Sequence, residues 1–320
     1  MKHREKITLR RSNNRRNNKR YKKNIKLLLI IPLCLFIGGS FLLVRYAINT
    51  ASAKKLQQET KEIYSAAAIK TASALPPVQD TKAPENNIQI SASLLPKEPL
   101  DTEPSPVLSP GPAMGAQFIS LYKKNSDLAG WLKSDAVPQI DFPVVQKDNI
   151  HYLDRDFYGK PNQSGTVFAD ESVSLLPASM NVILHGHNMK NGTMFGKLYE
   201  YLSPDLMASN PLLEFSTLYE SSIYVPYAVS IVSLDPQSPQ YVSLAHEDFS
   251  SATEMLLYAD ELQKFSKMQL PIDVIEDDKL LTLITCHGNE EHERLVLALR
   301  RLRLDENVDV IKGLYLKNKL

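Results

Sequence analysis

A chain of 320 residues has the length for two domains, and 37 Lys and Arg against 36 Asp and Glu leave it nearly neutral at +1. That neutrality hides polarisation: residues 1–26 hold twelve Lys and Arg against Glu5 alone, so residues 27–320 are net acidic by about ten charges. An acidic body argues against nucleic acid as the partner, although the basic run alone would suit a nucleic-acid arm.

The neighbouring apolar stretch decides the meaning of the basic run. Residues 27–44, LLLIIPLCLFIGGSFLLV, are eighteen in a row without a charge. As a helix they span ~27 Å, close to the thickness of a bilayer's hydrocarbon core. Basic residues stay on the cytoplasmic side, so the expectation is a single-pass membrane protein with residues 1–26 inside and the remainder exported. A cleaved signal peptide competes, with Ala51-Ser52-Ala53 as a small-residue site, but the apolar run exceeds the ~7–15 residues usual for a signal peptide, which favours a retained anchor. Cys34 lies within that run as a small apolar residue. Cys286 is then the sole exported cysteine, without a disulfide partner.

Residues 45–112 read as stalk and linker. Residues 48–75 are rich in Ala, Lys and Glu and suit a helix or stalk, while 76–112 carry nine prolines among Ser, Thr, Asp and Glu. A segment of that composition cannot bury enough apolar surface to fold and runs extended, reaching ~110 Å at ~3 Å per residue. It reads as a spacer that lifts a domain off the membrane; a proline-rich ligand for another domain is the other reading.

The globular part is expected over residues 113–320. Phe118, Ile119, Leu121 and Tyr122 have helical spacing, and Asn125, Asp127 and Gly130 mark the exit. Short strands are predicted at Trp131-Leu132, residues 140–145, 165–169 and 181–185, and a further one over 222–234. Residues 149–158 suit a loop or short helix. Met255, Leu256, Tyr258, Leu262 and Phe265 predict a helix within 249–266, followed by strands over 281–286 and 294–302 and a last strand candidate at 308–315. Mainly β, with many short strands in about 200 residues, points to one closed or nearly closed barrel.

The chemistry gathers in residues 281–294, LTLITCHGNEEHER. An apolar, β-branched run ends on Cys286, and Arg294 opens the next such run, which sets both near one end of a sheet. A cysteine nucleophile needs a thiolate, a proton carrier, and donors where negative charge develops. Cys286 supplies the first, His187 at the end of its own strand the second, and Arg294, with two parallel N–H donors, the third. Asp141, Asp154 and Asp156 read as turn or surface charges, Met194 and Phe195 as barrel packing, and Glu290, Glu291 and Glu293 as a solvated loop able to pair with Arg294.

Thr282-Leu283-Ile284-Thr285-Cys286 resembles the TLxTC signature of sortases, with Arg294 placed as in that family. HGHNMKNGTM over 185–194 and the stretch 130–157 resemble class B sortases, as does a helix-bearing insertion at about 235–270. The resemblance covers roughly residues 115–312. It implies an eight-stranded sortase barrel with N-terminal helices, in which Cys286 attacks the Thr carbonyl of a sorting signal of the Leu-Pro-x-Thr-Gly or Asn-Pro-x-Thr kind. His187 would protonate the leaving amine and later deprotonate the incoming amino group, and Arg294 would stabilise the oxyanion or position the substrate carbonyl. A peptidoglycan-precursor amine (lipid II) or a pilin lysine would resolve the thioacyl enzyme, without cofactor or metal. Thr285, His185 and Asn188 are candidate substrate contacts.

The sequence departs from the pattern at His185, where class B members often carry an aromatic or small residue. A satisfied hydrogen-bonded rim residue is one reading of it. By ligand type, His185, His187, Cys286 and His287 could also collect Zn²⁺. His292 adds a further imidazole near Arg294. Besides wall anchoring, the chemistry is compatible with pilin polymerisation, with a thiol hydrolase resolved by water, or with a non-enzymatic tethered binding module.

Overall fold

The computed structural model describes residues 2–74, 112–288 and 290–318, with side chains over 34–70, 112–288 and 290–317. The proline-rich segment and the side chains of the basic run lie outside these residues. Helix α1, Lys2–Ala74, contains one stretch, Cys34–Lys70, long and apolar enough to cross a membrane by length and composition. Two compact units divide the chain, one over Met1–Lys55 and one over Leu56–Leu320.

The second unit is a closed barrel of eight strands, in the order β1-β2-β3-β4-β7-β8-β6-β5. These are β1 Leu128–Ser134, β2 Asp141–Gln146, β3 Phe168–Ala169, β4 Asn181–His185, β5 Leu213–Thr217, β6 Ser221–Ser233, β7 Leu280–Cys286 and β8 Glu293–Arg301. Closure leaves no free sheet edge. Among the described residues the other α-helices are α2 Ala116–Tyr122, α3 Pro204–Ser209, α4 Ala252–Lys264 and α5 Val308–Asn318.

The central strands follow from their composition. In β7, Leu280 to Thr285 are all buried and only Cys286 is exposed, the near-continuous apolar run of a strand covered on both faces. Thr282, one of its two buried polar residues, is satisfied by donating to Asn181 Oδ1 on β4 at 2.8 Å. β6 is long and rich in Val, Ile and Tyr, and its Pro226 sits where the pairing with β8 slips by one residue, the kind of position where a missing N–H is tolerated. In the insertion between β6 and β7, Ser251 caps α4 by accepting from Glu254 N at 3.2 Å, and the Glu254 carboxylate reaches back to Ser250 N at 2.6 Å. Met255, Tyr258, Ala259 and Leu262 then form its buried stripe.

Several sequence expectations need correction. Residues 308–315 are helical, not a strand: Asn307 Oδ1 accepts from Asp309 N at 2.8 Å at the helix start, and Ile311 and Tyr315, one turn apart, are buried. Asp141 is a buried group, because the Trp131 indole needs an acceptor and donates to it at 2.8 Å. The predicted strand over 165–169 contracts to two residues, and β5, unpredicted, pairs with both β1 and β6.

The Leu56–Ala74 part of α1 packs on the barrel. Tyr64 stacks on Trp131 with centroids 4.3 Å apart, and Gln57 donates to Gln139 O at 2.8 Å. A second apolar cluster of Phe118, Leu121, Trp131, Tyr152 and Phe157 forms beneath it.

Candidate active site

Strand register brings Cys286 and Arg294 together and His187 to the same end of the barrel. β7 and β8 are antiparallel with Cys286 directly opposite Arg294, a pairing that holds Cα atoms roughly 4.5–5.5 Å apart. β4 runs parallel to β7 with His185 level with Ile284. Two residues further along each chain, His187 and Cys286 leave the same end of the barrel. An open cleft of about 240 Å³ lies there, lined by His185, His187, Thr285, Cys286 and Arg294 together with Asn149, Leu153, Phe168, Asp170, Gly186 and Ile284. Cys286 is a free, exposed thiol.

The turn that carries His187 requires Gly186. A Cβ there would stand 2.7 Å from the Phe195 ring, and the Gly186 N–H donates to Ile284 O at 3.2 Å. His187 is then fixed at both ends. Its carbonyl accepts from Phe195 N at 3.0 Å, and its Nε2 lies 2.7 Å from Leu153 O. A carbonyl only accepts, so Nε2 carries a proton and Nδ1 is the ring's basic nitrogen. Gly165, with φ of +60°, lets the 152–153 turn approach: a Cβ there would sit 2.5 Å from Tyr152 O.

The end of β7 is braced from the other side. Asn188 Nδ2 donates to Cys286 O at 3.0 Å and Tyr199 OH reaches the same carbonyl at 3.4 Å. Tyr199 OH also lies 2.9 Å from His287 Nδ1 and accepts from Gly288 N at 3.3 Å. Asn188 therefore holds the strand end and is not part of the cleft lining. Thr285 does line it, with its hydroxyl donating to Gly186 O at 2.7 Å. Arg294 Nη1 donates to the carbonyls of Glu291 and Glu293, at 2.8 and 2.9 Å, and so engages the loop through backbone oxygens. His292 is exposed on that loop.

His185 is hydrogen-bonded as well as cleft-lining, with Nε2 2.9 Å from Asp170 Oδ2. Hydrogen bonds from His185, and then from Ser172 and Asn149, hold the Asp170 carboxyl well below the usual carboxylate range against the opposing effect of burial. Among the described residues no group of three or more His, Cys, Asp or Glu side chains is placed to hold a metal ion.

Sequence reasoning had no access to Leu153, Asp170, Asn149 or Tyr199. Leu153 acts through its backbone and Tyr199 through a contact across 87 residues, and neither has a sequence signature.

The comparisons with known proteins agree with this architecture. Sortase B of Listeria monocytogenes is 30% identical over 179 residues, covering 56% of this chain and 70% of that protein. A crystal structure of sortase B from Bacillus anthracis in complex with AAEK2 superposes with a TM-score of 0.54 at 30% identity, covering 61% of this chain and 86% of that one. The Staphylococcus aureus sortase B–substrate complex gives 0.54 at 26% identity, covering 60% and 87%. No family model matches the chain. The barrel is that of a sortase, a class of transpeptidases. Within that class, the chain belongs to the sortase B family.

Proposed function

We propose that Cys286, His187 and Arg294 carry out amide exchange on a C-terminal sorting signal of the LPxTG or NPxT kind. The observation that carries this reading is the shared cleft at the ends of β4, β7 and β8. The Cys286 thiolate attacks the carbonyl of the signal's Thr. Arg294, opposite it in register, supplies permanently charged donors where the oxyanion forms. Its two carbonyl contacts hold the guanidinium in place before substrate arrives. With Nε2 engaged by Leu153 O, Nδ1–H of the imidazolium protonates the leaving amine. The C–N bond breaks and a thioester to Cys286 remains.

A primary amine then attacks the thioester and releases the thiolate, forming a new amide bond. One amide is exchanged for another, so the reaction needs no energy input. A peptidoglycan-precursor amine is the proposed acceptor. The S. aureus sortase B–substrate complex supports reading this cleft as a substrate site. The apolar stretch of α1 supports a single-pass anchor, with the basic N-terminus cytoplasmic and residues 113–320 as the exported catalytic domain.

The test is to incubate the full chain in detergent with a labelled sorting peptide, with and without a primary amine. Ligated product that grows with amine concentration and vanishes in Cys286→Ala is expected. Hydrolysis alone at every amine concentration would instead identify a thiol hydrolase.

A further inference from the structure

The His187 ring is held by a backbone oxygen, and a run of contacts leads from that oxygen to a glycine with no chemistry of its own. The oxygen belongs to Leu153, at the end of the single 3₁₀ turn His151–Leu153. Tyr152 ties this turn to the chain after α2. Its hydroxyl donates to Asp127 Oδ2 at 2.8 Å and accepts from Asn125 Nδ2 at 2.9 Å. Segment 162–166 takes the neighbouring carbonyls. Tyr152 O accepts from Thr166 N at 3.0 Å, Asp154 O from Asn162 N at 2.8 Å, and Arg155 O from Thr166 Oγ1 at 2.9 Å. The Leu153 carbonyl, in the midst of these, accepts from His187 Nε2 at 2.7 Å.

Gly165 lies against that oxygen. With φ of +60° it occupies the left-handed region, and a Cβ on it would stand 2.5 Å from Tyr152 O and 2.7 Å from Leu153 O. Both obstacles are backbone atoms held by the bonds above, so no rotamer change makes room and the turn itself has to move. A shift of Leu153 O lengthens and bends its bond to Nε2, and such bonds weaken steeply with angle. A neutral imidazole without that acceptor is free to carry its proton on Nδ1, the nitrogen the exchange uses.

We propose that Gly165 is a positioning residue for the exchange: its missing side chain leaves the space in which Leu153 O holds the proton of His187 on Nε2. This rests on the reading of His187 as the proton carrier. A nearby glycine supplies the control. Gly159 has φ of +72°, yet nothing lies within 4 Å of where its Cβ would be. Alanine there carries the same left-handed strain without pressing on Leu153.

The test uses the full chain in detergent with a labelled sorting peptide, and the same chain labelled with ¹⁵N-histidine. The imidazole ¹⁵N shifts, recorded without substrate and with the rings neutral, tell which nitrogen is protonated; loss of a signal in His187→Asn assigns it. Gly165→Ala and Gly159→Ala should both lower the melting temperature by a few degrees, the effect of a left-handed alanine. Gly165→Ala alone should lose about 100-fold in release of the leaving fragment, the scale of a misplacement of ~1 Å. It alone of the two should show the His187 proton shared between Nδ1 and Nε2, where wild type and Gly159→Ala show Nε2–H. Thr166→Val frees Arg155 O without adding bulk and should move both readouts the same way, with a loss of about 3–10-fold, the worth of one hydrogen bond. It decides the question if Gly165→Ala does not fold. Unchanged turnover in both variants, lost turnover with an unchanged His187 signal, or an equal loss in Gly159→Ala would overturn the proposal. A wild-type chain that never forms a thioacyl adduct would overturn the proposed function instead, while the imidazole signal still reports the orientation.

Discussion

Arg294 faces Cys286 across one pair of strands, so a change at 294 acts beside the thiol while leaving the sheet intact. Lys in its place keeps the charge but cannot present a planar fork. Arg294→Lys should lower kcat by about 10²–10³, the scale of one lost oxyanion donor, with little change in melting temperature. Turnover near the wild-type rate would remove Arg294 from the oxyanion role. Asp170 makes a different prediction. Its folded carboxyl titrates below the ordinary value of 3.8, so its stabilising effect is present above that value and is lost as pH falls below it. The melting temperature of wild type should exceed that of Asp170→Asn at neutral pH, and the gap should narrow below about pH 4. Cys286, His187 and Arg294 stood out in the sequence because each flanks an apolar run. The groups that orient them were not. A backbone carbonyl such as Leu153 O carries no residue preference, and Asp141 reads as surface until the Trp131 indole is seen to need it.

At the scale of elements, β4, β6, β7, β8 and α4 were legible from continuous apolar runs or from a buried stripe. Two failures have physical reasons. Residues 308–315 are β-branched enough to resemble a strand, yet the Asn307 cap and the Ile311–Tyr315 spacing favour a helix. β5 has only five residues and is held by neighbours distant in sequence on both sides. The Leu56–Ala74 helical stretch also matters more than a stalk would. Tyr64 covers Trp131, and Lys61 pairs with the Asp141 carboxylate that accepts from the same indole. A chain of residues 56–320 should therefore be more stable than one of 113–320 by roughly 1–3 kcal/mol, combining an aromatic pair with the re-exposed Trp131 surface. Urea unfolding of the two chains checks this, and equal midpoints would show that the stretch adds nothing.

Over the whole molecule, the barrel separates chemistry from support. Arg294 and Arg300 lie six residues apart on β8, roughly 20 Å, in opposite surroundings: Arg294 lines the open cleft and Arg300 is enclosed. Arg300 is fully buried, with Glu306 gripping its guanidinium at 2.7 and 2.6 Å and Asp273 O accepting from its Nε at 2.8 Å. Removing one partner of such a pair leaves a buried charge with too few partners. Glu306→Ala should destabilise the chain by about 3–5 kcal/mol while turnover, measured well below the melting temperature, stays near wild type. A large loss of turnover in folded Glu306→Ala would show that the two ends are coupled.

The central claim is that Cys286 carries the acyl group between two amines, and intact mass spectrometry of the full chain quenched during turnover of a labelled sorting peptide tests it most directly. The account predicts an adduct with the mass of the acyl fragment on Cys286, accumulating without amine, discharged by amine, and absent from Cys286→Ala. Sustained turnover in Cys286→Ala, or turnover by the wild type with no adduct at any quench time, would contradict it.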